Sequence, residues 1–175
     1  MKKFELTAES KINIFGKKLF RIKALISFGD VEEGETGGWI EKEENLEQSS
    51  GNAWVYGNAE VYGNAWVYGN AEVYGNARVY GNVEVSGNAR VSGDAEVSGN
   101  ADYTTIHGFG TQFRTTTFFQ CEDKQIRVSC GCFLGTIPEF REQVKNTREG
   151  KIAEEYLMIA DLMEKHFVKE KESGE

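Results

Sequence analysis

Between residues 51 and 104, apolar and polar positions recur every six residues. The units read GNAWVY, GNAEVY, GNAWVY, GNAEVY, GNARVY, GNVEVS, GNARVS, GDAEVS and GNADYT. So strict a period governs the reading of the rest of the chain. Strand side chains alternate sides, so the Val of each unit points one way and its two neighbours the other. Gly-Asn is turn chemistry, because Gly accepts any φ and Asn tolerates the left-handed region. The small Ala fits a tight inward corner. Each unit therefore predicts one short strand and one bend, with Val inside and the flanking Trp, Glu, Arg, Tyr or Ser outside.

The flanks lack the period. Residues 1–48 read as a β-rich capping module. Strand patterns lie at Phe4-Glu5-Leu6, Lys11 to Ile14 and Leu19 to Ile26, with a hairpin turn through Phe15-Gly16-Lys17-Lys18. Gly34 to Gly38 reads as a turn cluster. Glu41 to Glu47 reads as a solvated acidic loop anchored by Leu46. Residues 105–175 read as an α+β module. Thr115 to Phe119 and Gln125 to Cys132 are strand-like, and two helices follow. The first, near 137–145, opens on Thr136-Ile137-Pro138-Glu139, which has capping-box spacing with Pro in the first turn. The second, near 152–167, carries Ile152, Tyr156, Ile159, Leu162 and Met163 on one face. The tail Lys169 to Glu175 is expected to fray.

V-[YS]-G-[ND]-A-x resembles the hexapeptide repeat of left-handed parallel β-helices. The resemblance implies three units per triangular coil, hence about three coils, and it implies the left hand. The fold class expected is mainly β: a short left-handed parallel β-helix with a β-rich N-terminal module, then a small C-terminal sheet and two α-helices. Residues 18 apart would then stack at ~4.8 Å. Val55, Val73 and Val91 form one inner column, Val61, Val79 and Val97 a second, and Val67, Val85 and Tyr103 a third. Asn52, Asn70 and Asn88 form a corner ladder, as do Asn58, Asn76 and Asp94, and Asn64, Asn82 and Asn100. Glu60, Arg78 and Glu96 alternate in sign on one outer face, which reads as solvated and structural. The other two faces crowd aromatics into the first coils. Trp54, Tyr56, Trp66, Tyr68 and Tyr74 are therefore the candidate binding residues, because exposed aromatic patches mark contacts.

Charge narrows the partners. The chain carries a formal −8, divided as −2 over 1–50, −4 over 51–104 and −2 over 105–175. An acidic surface repels phosphate backbones, so direct nucleic-acid binding is disfavoured. No run approaches a membrane span and the N-terminus lacks an apolar signal region, so no membrane association and a cytoplasmic location are expected. The abundant Gly, 20 residues with a single Pro, suits a stacked repeat rather than collagen.

Candidate chemistry is sparse. The resemblance implies an alternative as a small acyltransferase, since many hexapeptide-repeat members use a catalytic His near a coil interface. His107 follows the last unit, but no unit contains His and no loop interrupts the repeats; His166 reads as structural. Cys121, Cys130 and Cys132 have poor zinc spacing, so they read as buried apolar thiols. Gly108-Phe109-Gly110 is too slight for a phosphate loop. No catalytic residue, metal or cofactor is expected.

The wider order of parts, Gly-Gly-Trp-Ile before the repeats and Cys-Gly-Cys-Phe-Leu-Gly-Thr after them, resembles β-solenoid proteins of bacteriophages and prophages. That resemblance implies a non-enzymatic binding protein in the cytoplasm of a bacterial host. It could counter host immunity by binding a host defence protein or sequestering a small nucleotide ligand. A homo-oligomer, trimer or dimer, follows from the β-helix resemblance. A structural or glycan-binding module is the remaining alternative.

Overall fold

The computed structural model describes residues 1–168; the tail Lys169 to Glu175, expected to fray, lies outside the described residues. Strands β1 (Phe4–Ile12), β2 (Lys18–Ala24) and β3 (Thr36–Ile40) form an antiparallel N-terminal unit. The first two expected strand segments are one strand, with a bulge between Leu6 and Ser10, and the turn after it is where the sequence puts it. The glycines expected as a turn lie mostly in β3, where Gly37 and Gly38 are buried. A Cβ on Gly37 would collide with Ile22 and Trp54, so only a bare backbone fits there.

Eight two-residue strands follow, one for each of the first eight units: β4 (Trp54–Val55), β5 (Glu60–Val61), β6 (Trp66–Val67), β7 (Glu72–Val73), β8 (Arg78–Val79), β9 (Glu84–Val85), β10 (Arg90–Val91) and β11 (Glu96–Val97). They stack in parallel as β4-β7-β10, β5-β8-β11 and β6-β9, giving a solenoid of about three turns. Every Val of the three columns is fully buried. Each expected corner ladder forms one side-chain rung: Asn70 donates to Asn88 at 3.1 Å, Asn64 to Asn82 at 3.1 Å and Asn76 to Asp94 at 3.4 Å, while Asn100 accepts from the Glu84 N–H instead of continuing its ladder.

Both solenoid ends need closing. Each coil donates its N–H groups to carbonyls of the coil after it, as in Trp54 to Ala71, so the first coil's own carbonyls have no coil beneath them. The N-terminal module supplies the missing donors. Backbone N–H groups of Trp39, Glu41 and Glu47 reach Ala59, Val61 and Val67. Asn45 reaches Gly63 and Ala65, Arg21 reaches Gly57, and the buried ammonium of Lys3 reaches Gly51 at 3.2 Å. The acidic segment expected as a solvated loop is thus a working cap: Glu43–Asn45 is a 3-10 turn, Asn45 and Leu46 are buried, and Leu46 pairs with Val67. The Glu60 face is also less solvated than expected. Lys11 and Asn13 hold Glu60 from the N-terminal module, while Arg78 pairs with Glu96 at 3.9 Å and with Glu122 at 3.4 Å.

The C-terminal end is closed by an antiparallel sheet of β12 (Tyr103–Phe109), β13 (Arg114–Gln120), β14 (Ile126–Cys130) and β15 (Phe133–Thr136). Adjacent residues of β13 face opposite sides: Phe119 joins the solenoid core and Phe118 joins a second core under the helices. Of those helices, α1 (Ile137–Thr147) runs two residues beyond its expected end, and α2 (Gly150–His166) starts two residues before its expected start and ends one residue short of its expected end. The capping box forms as read, with Glu139 N–H donating to the Thr136 hydroxyl at 3.3 Å. Leu162 corrects the expected apolar face: it is 57 % exposed, and Ala160 fills the buried position instead.

Burial pushes five tyrosine hydroxyls above the ordinary phenol value. Tyr56 rises to about 12, Tyr62 rises further, and Tyr80, Tyr103 and Tyr156 also rise. The unfolded chain would ionise these groups near ~10 while the folded chain keeps their protons. Their contribution is therefore fully present below the unfolded value and lost as pH rises through the folded values. Lys3, lowered by burial, works in the opposite direction as a single group. Alkaline titration should show the phenolate absorbance of these five of the seven tyrosines appearing together with loss of the β-sheet circular dichroism. Full phenolate absorbance of all seven tyrosines appearing smoothly near ~10 with the fold intact would contradict this.

Candidate functional site

A groove of about 800 Å³ runs between the β4-β7-β10 side of the solenoid and the β12-β13 end of the C-terminal sheet. The repeat builds its floor. The corner ladder presents Asn52, Asn70 and Asn88, with the Asn52 N–H donating to Asn70 Oδ1 at 3.2 Å. Beside the ladder, Glu72 and Arg90 form an ion pair at 3.1 Å, and half-buried Tyr56 stands at the first coil. Asp30, from the loop after β2, closes that end.

The opposite wall comes from the β12-β13 hairpin and the turn before β15. His107 is exposed, with Nδ1 3.2 Å from the Thr115 hydroxyl. Phe113 is 64 % exposed and holds a φ of 50°, a conformation that bulky side chains avoid. Such strain gathers at ligand clamps. Arg114 follows it, bonded to the neutral Gln112 amide, and it pairs with no carboxylate among the described residues. Gly131 gives its guanidinium room, since a Cβ there would collide with it. Exposed Cys132 also lines this wall.

The structure sorts the aromatic candidates apart. Trp54 is a correction: it is fully buried, edge-on to Phe4 at 6.1 Å and to Phe28 at 5.4 Å, because the N-terminal module lies over its coil. Tyr56 lines the groove. Tyr74, directly above it in the stack, is half-buried and outside the groove. Trp66 and Tyr68 lie on another face, stacked on each other at 4.1 Å. Arg90, Phe113 and Arg114 were missed as site residues. Arg90 looks like one more outer repeat residue, and the other two sit in a hairpin the hydropathy pattern does not mark.

The cysteines separate as well. Cys121 is buried beside Ala95, and burial pushes its thiol up to about 11. Cys130 is half-buried and accepts from the Thr116 hydroxyl at 3.2 Å. Cys132 is exposed, against the expectation, because it falls in the turn after β14. Among the described residues, no three His, Cys, Asp or Glu side chains cluster as metal ligands, and no helix is long and apolar enough to cross a membrane.

Residues 53–69 and 71–83 match the family model of the YdcK β-solenoid repeat. None of the curated proteins matches the chain. The matched residues lie in the first two coils, so the match supports a β-solenoid protein. It includes Tyr56 and Glu72 of the groove and none of its C-terminal wall.

Proposed function

We propose that this protein is a non-enzymatic binding module and that the groove holds a small nucleotide. The observation that carries this reading is Arg114, a guanidinium without a carboxylate partner, directly after the exposed and strained Phe113 and across from the asparagine ladder. A ring for stacking beside a fork of N–H donors suits a ligand with a planar base and a phosphate. Tyr56 and Asp30, at the far end, suit an aromatic base with amino groups on its edge. The setting proposed is that of the sequence reading: a phage or prophage protein, homo-oligomeric, in the cytoplasm of a bacterial host. There it would counter immunity by withholding a nucleotide or by occupying a host defence protein.

The test is calorimetry of the full chain against ATP, GTP, NAD, cyclic dinucleotides and acetyl-coenzyme A. At least one nucleotide should bind, and Arg114→Gln should weaken it roughly tenfold to a hundredfold, the range for a charge-assisted hydrogen bond. No nucleotide binding would remove the reading. Acyl transfer from acetyl-coenzyme A, lost in His107→Ala, would replace it with the acyltransferase alternative, which the place of His107 in the groove favours over any other enzyme.

A further inference from the structure

The β6-β9 side of the solenoid differs from the groove in its chemistry. Trp66 is 36 % exposed, while Trp39 and Trp54 are buried. Its indole lies against the Tyr68 ring with 26° between the planes, so the pair makes a platform rather than a cage. Next to Tyr68 is a shallow concavity of about 300 Å³ that also takes in Glu84, Ser86, Tyr103, Thr104 and Thr105. It contains no Lys, Arg or His.

Glu84 is held from three sides. Its N–H donates to Asn100 Oδ1 at 3.1 Å, its carbonyl accepts from the Tyr103 hydroxyl, and its carboxylate accepts from the Tyr68 hydroxyl at 3.3 Å. It has no cationic partner among the described residues. An oriented carboxylate without a counter-ion repels anions and accepts from hydroxyls. Asp102, 18 residues on and so next in the same outer column, is already engaged by Ser98 and Gly99.

We infer that this face binds a neutral oligosaccharide. A pyranose ring has an apolar C–H face to lie on the Trp66–Tyr68 platform and vicinal hydroxyls to donate to Glu84. The hydroxyls of Ser86, Thr104 and Thr105 serve as either donor or acceptor, which suits sugar hydroxyls that do the same. A nucleotide or other phosphate is disfavoured here by Glu84 and by the missing cations. A cationic peptide is disfavoured because the rings stack on each other instead of surrounding a charge.

Since Trp66 is the exposed tryptophan, intrinsic fluorescence reports on this face. Hexasaccharides of α-1,4-glucose, β-1,4-glucose and β-1,4-N-acetylglucosamine should be titrated against the full chain, with acrylamide quenching alongside. At least one should shift the emission and shield it from acrylamide, and calorimetry should show the affinity falling about tenfold or more in Glu84→Gln. Trp66→Ala should abolish calorimetric binding while its melting temperature stays near that of the parent. Tyr68→Phe, which removes one hydroxyl, should weaken binding less than Glu84→Gln. Absence of binding by all three sugars overturns the inference. So does shielding by polylysine alone, or a change in sedimentation of Trp66→Ala showing that a second copy of the chain covers this face.

Discussion

Trp54→Ala should lower the unfolding free energy by about 3–5 kcal/mol, the range for emptying a buried aromatic site. Trp66→Ala, the same change two repeat units along, should stay within about 1 kcal/mol. Both residues open a strand at the same position of a GNAWVY unit. What separates them is the N-terminal module. Phe4 and Phe28 pack edge-on against the Trp54 indole, and Gly37 leaves no room for a side chain between it and Ile22. Truncation would leave a cavity between β3 and β4 that stiff strand backbones collapse into poorly. Trp54→Phe should be milder than Trp54→Ala, because the Trp54 Nε1 is buried without a hydrogen-bond partner and its loss removes an unmet donor. Urea unfolding of the three variants measures this. A further consequence is local: with Trp54 gone, hydrogen exchange should speed up first where the N-terminal donors meet the first coil, at Trp39, Glu41 and Glu47. Equal losses for Trp54→Ala and Trp66→Ala would mean that the module is not seated on Trp54.

That contrast marks how far the sequence was legible. The period placed the inward valines, the Gly-Asn corners and the degraded last unit, and the resemblance added which of them stack, 18 residues apart. It did not show that the solenoid begins before its repeats do. Trp39 sits on Glu60 and Leu46 on Val67, pairings 21 positions apart where the repeats use 18, and the segment has no Gly-Asn corner. An irregular coil of this kind satisfies the same carbonyls through side chains of Asn45, Lys3 and Arg21, which no hydropathy pattern reveals. Without that coil, Trp54 looks like an outer aromatic, so the sequence puts it among the binding candidates.

The candidate site was legible in fewer of its parts. Tyr56 came from the outer column, but its neighbours across the groove come from a hairpin more than fifty positions later. That hairpin is there because the last coil, like the first, needs a cover. Arg90 N–H finds the Thr117 hydroxyl at 3.0 Å, Glu122 N–H finds the Asp94 carbonyl at 3.0 Å, and Cys121 pairs with Ala95. The groove is thus the space left beside a structural closure, and its chemistry follows from which side chains that closure leaves unpaired. Arg114 is the one whose charge the rest of the wall does not answer.

The glycines that open every unit give the sharpest test of the stacking itself. Gly57 and Gly81 hold similar left-handed conformations, with φ of 57° and 74°. A methyl group on Gly57 meets nothing within 4 Å, whereas one on Gly81 would run into the carbonyl oxygen of Ser98 in the next coil. Gly57→Ala should therefore carry conformational strain alone, roughly 1–2 kcal/mol. Gly81→Ala should carry that strain and also force two coils apart. Backbone cannot step aside as a flexible side chain does, so the total should reach about 3–5 kcal/mol. The excess should come with faster exchange of the amides that bridge those coils, Tyr80 to Val97 and Arg78 to Ala95. Chemical denaturation of both variants at unchanged m-value measures the difference. Matching losses would mean that the last coil is free to move away from the one beneath it. The C-terminal sheet, anchored on that coil through Phe119 and Cys121, would then be a loose cover, and the groove wall carrying Phe113 and Arg114 would not be preorganised.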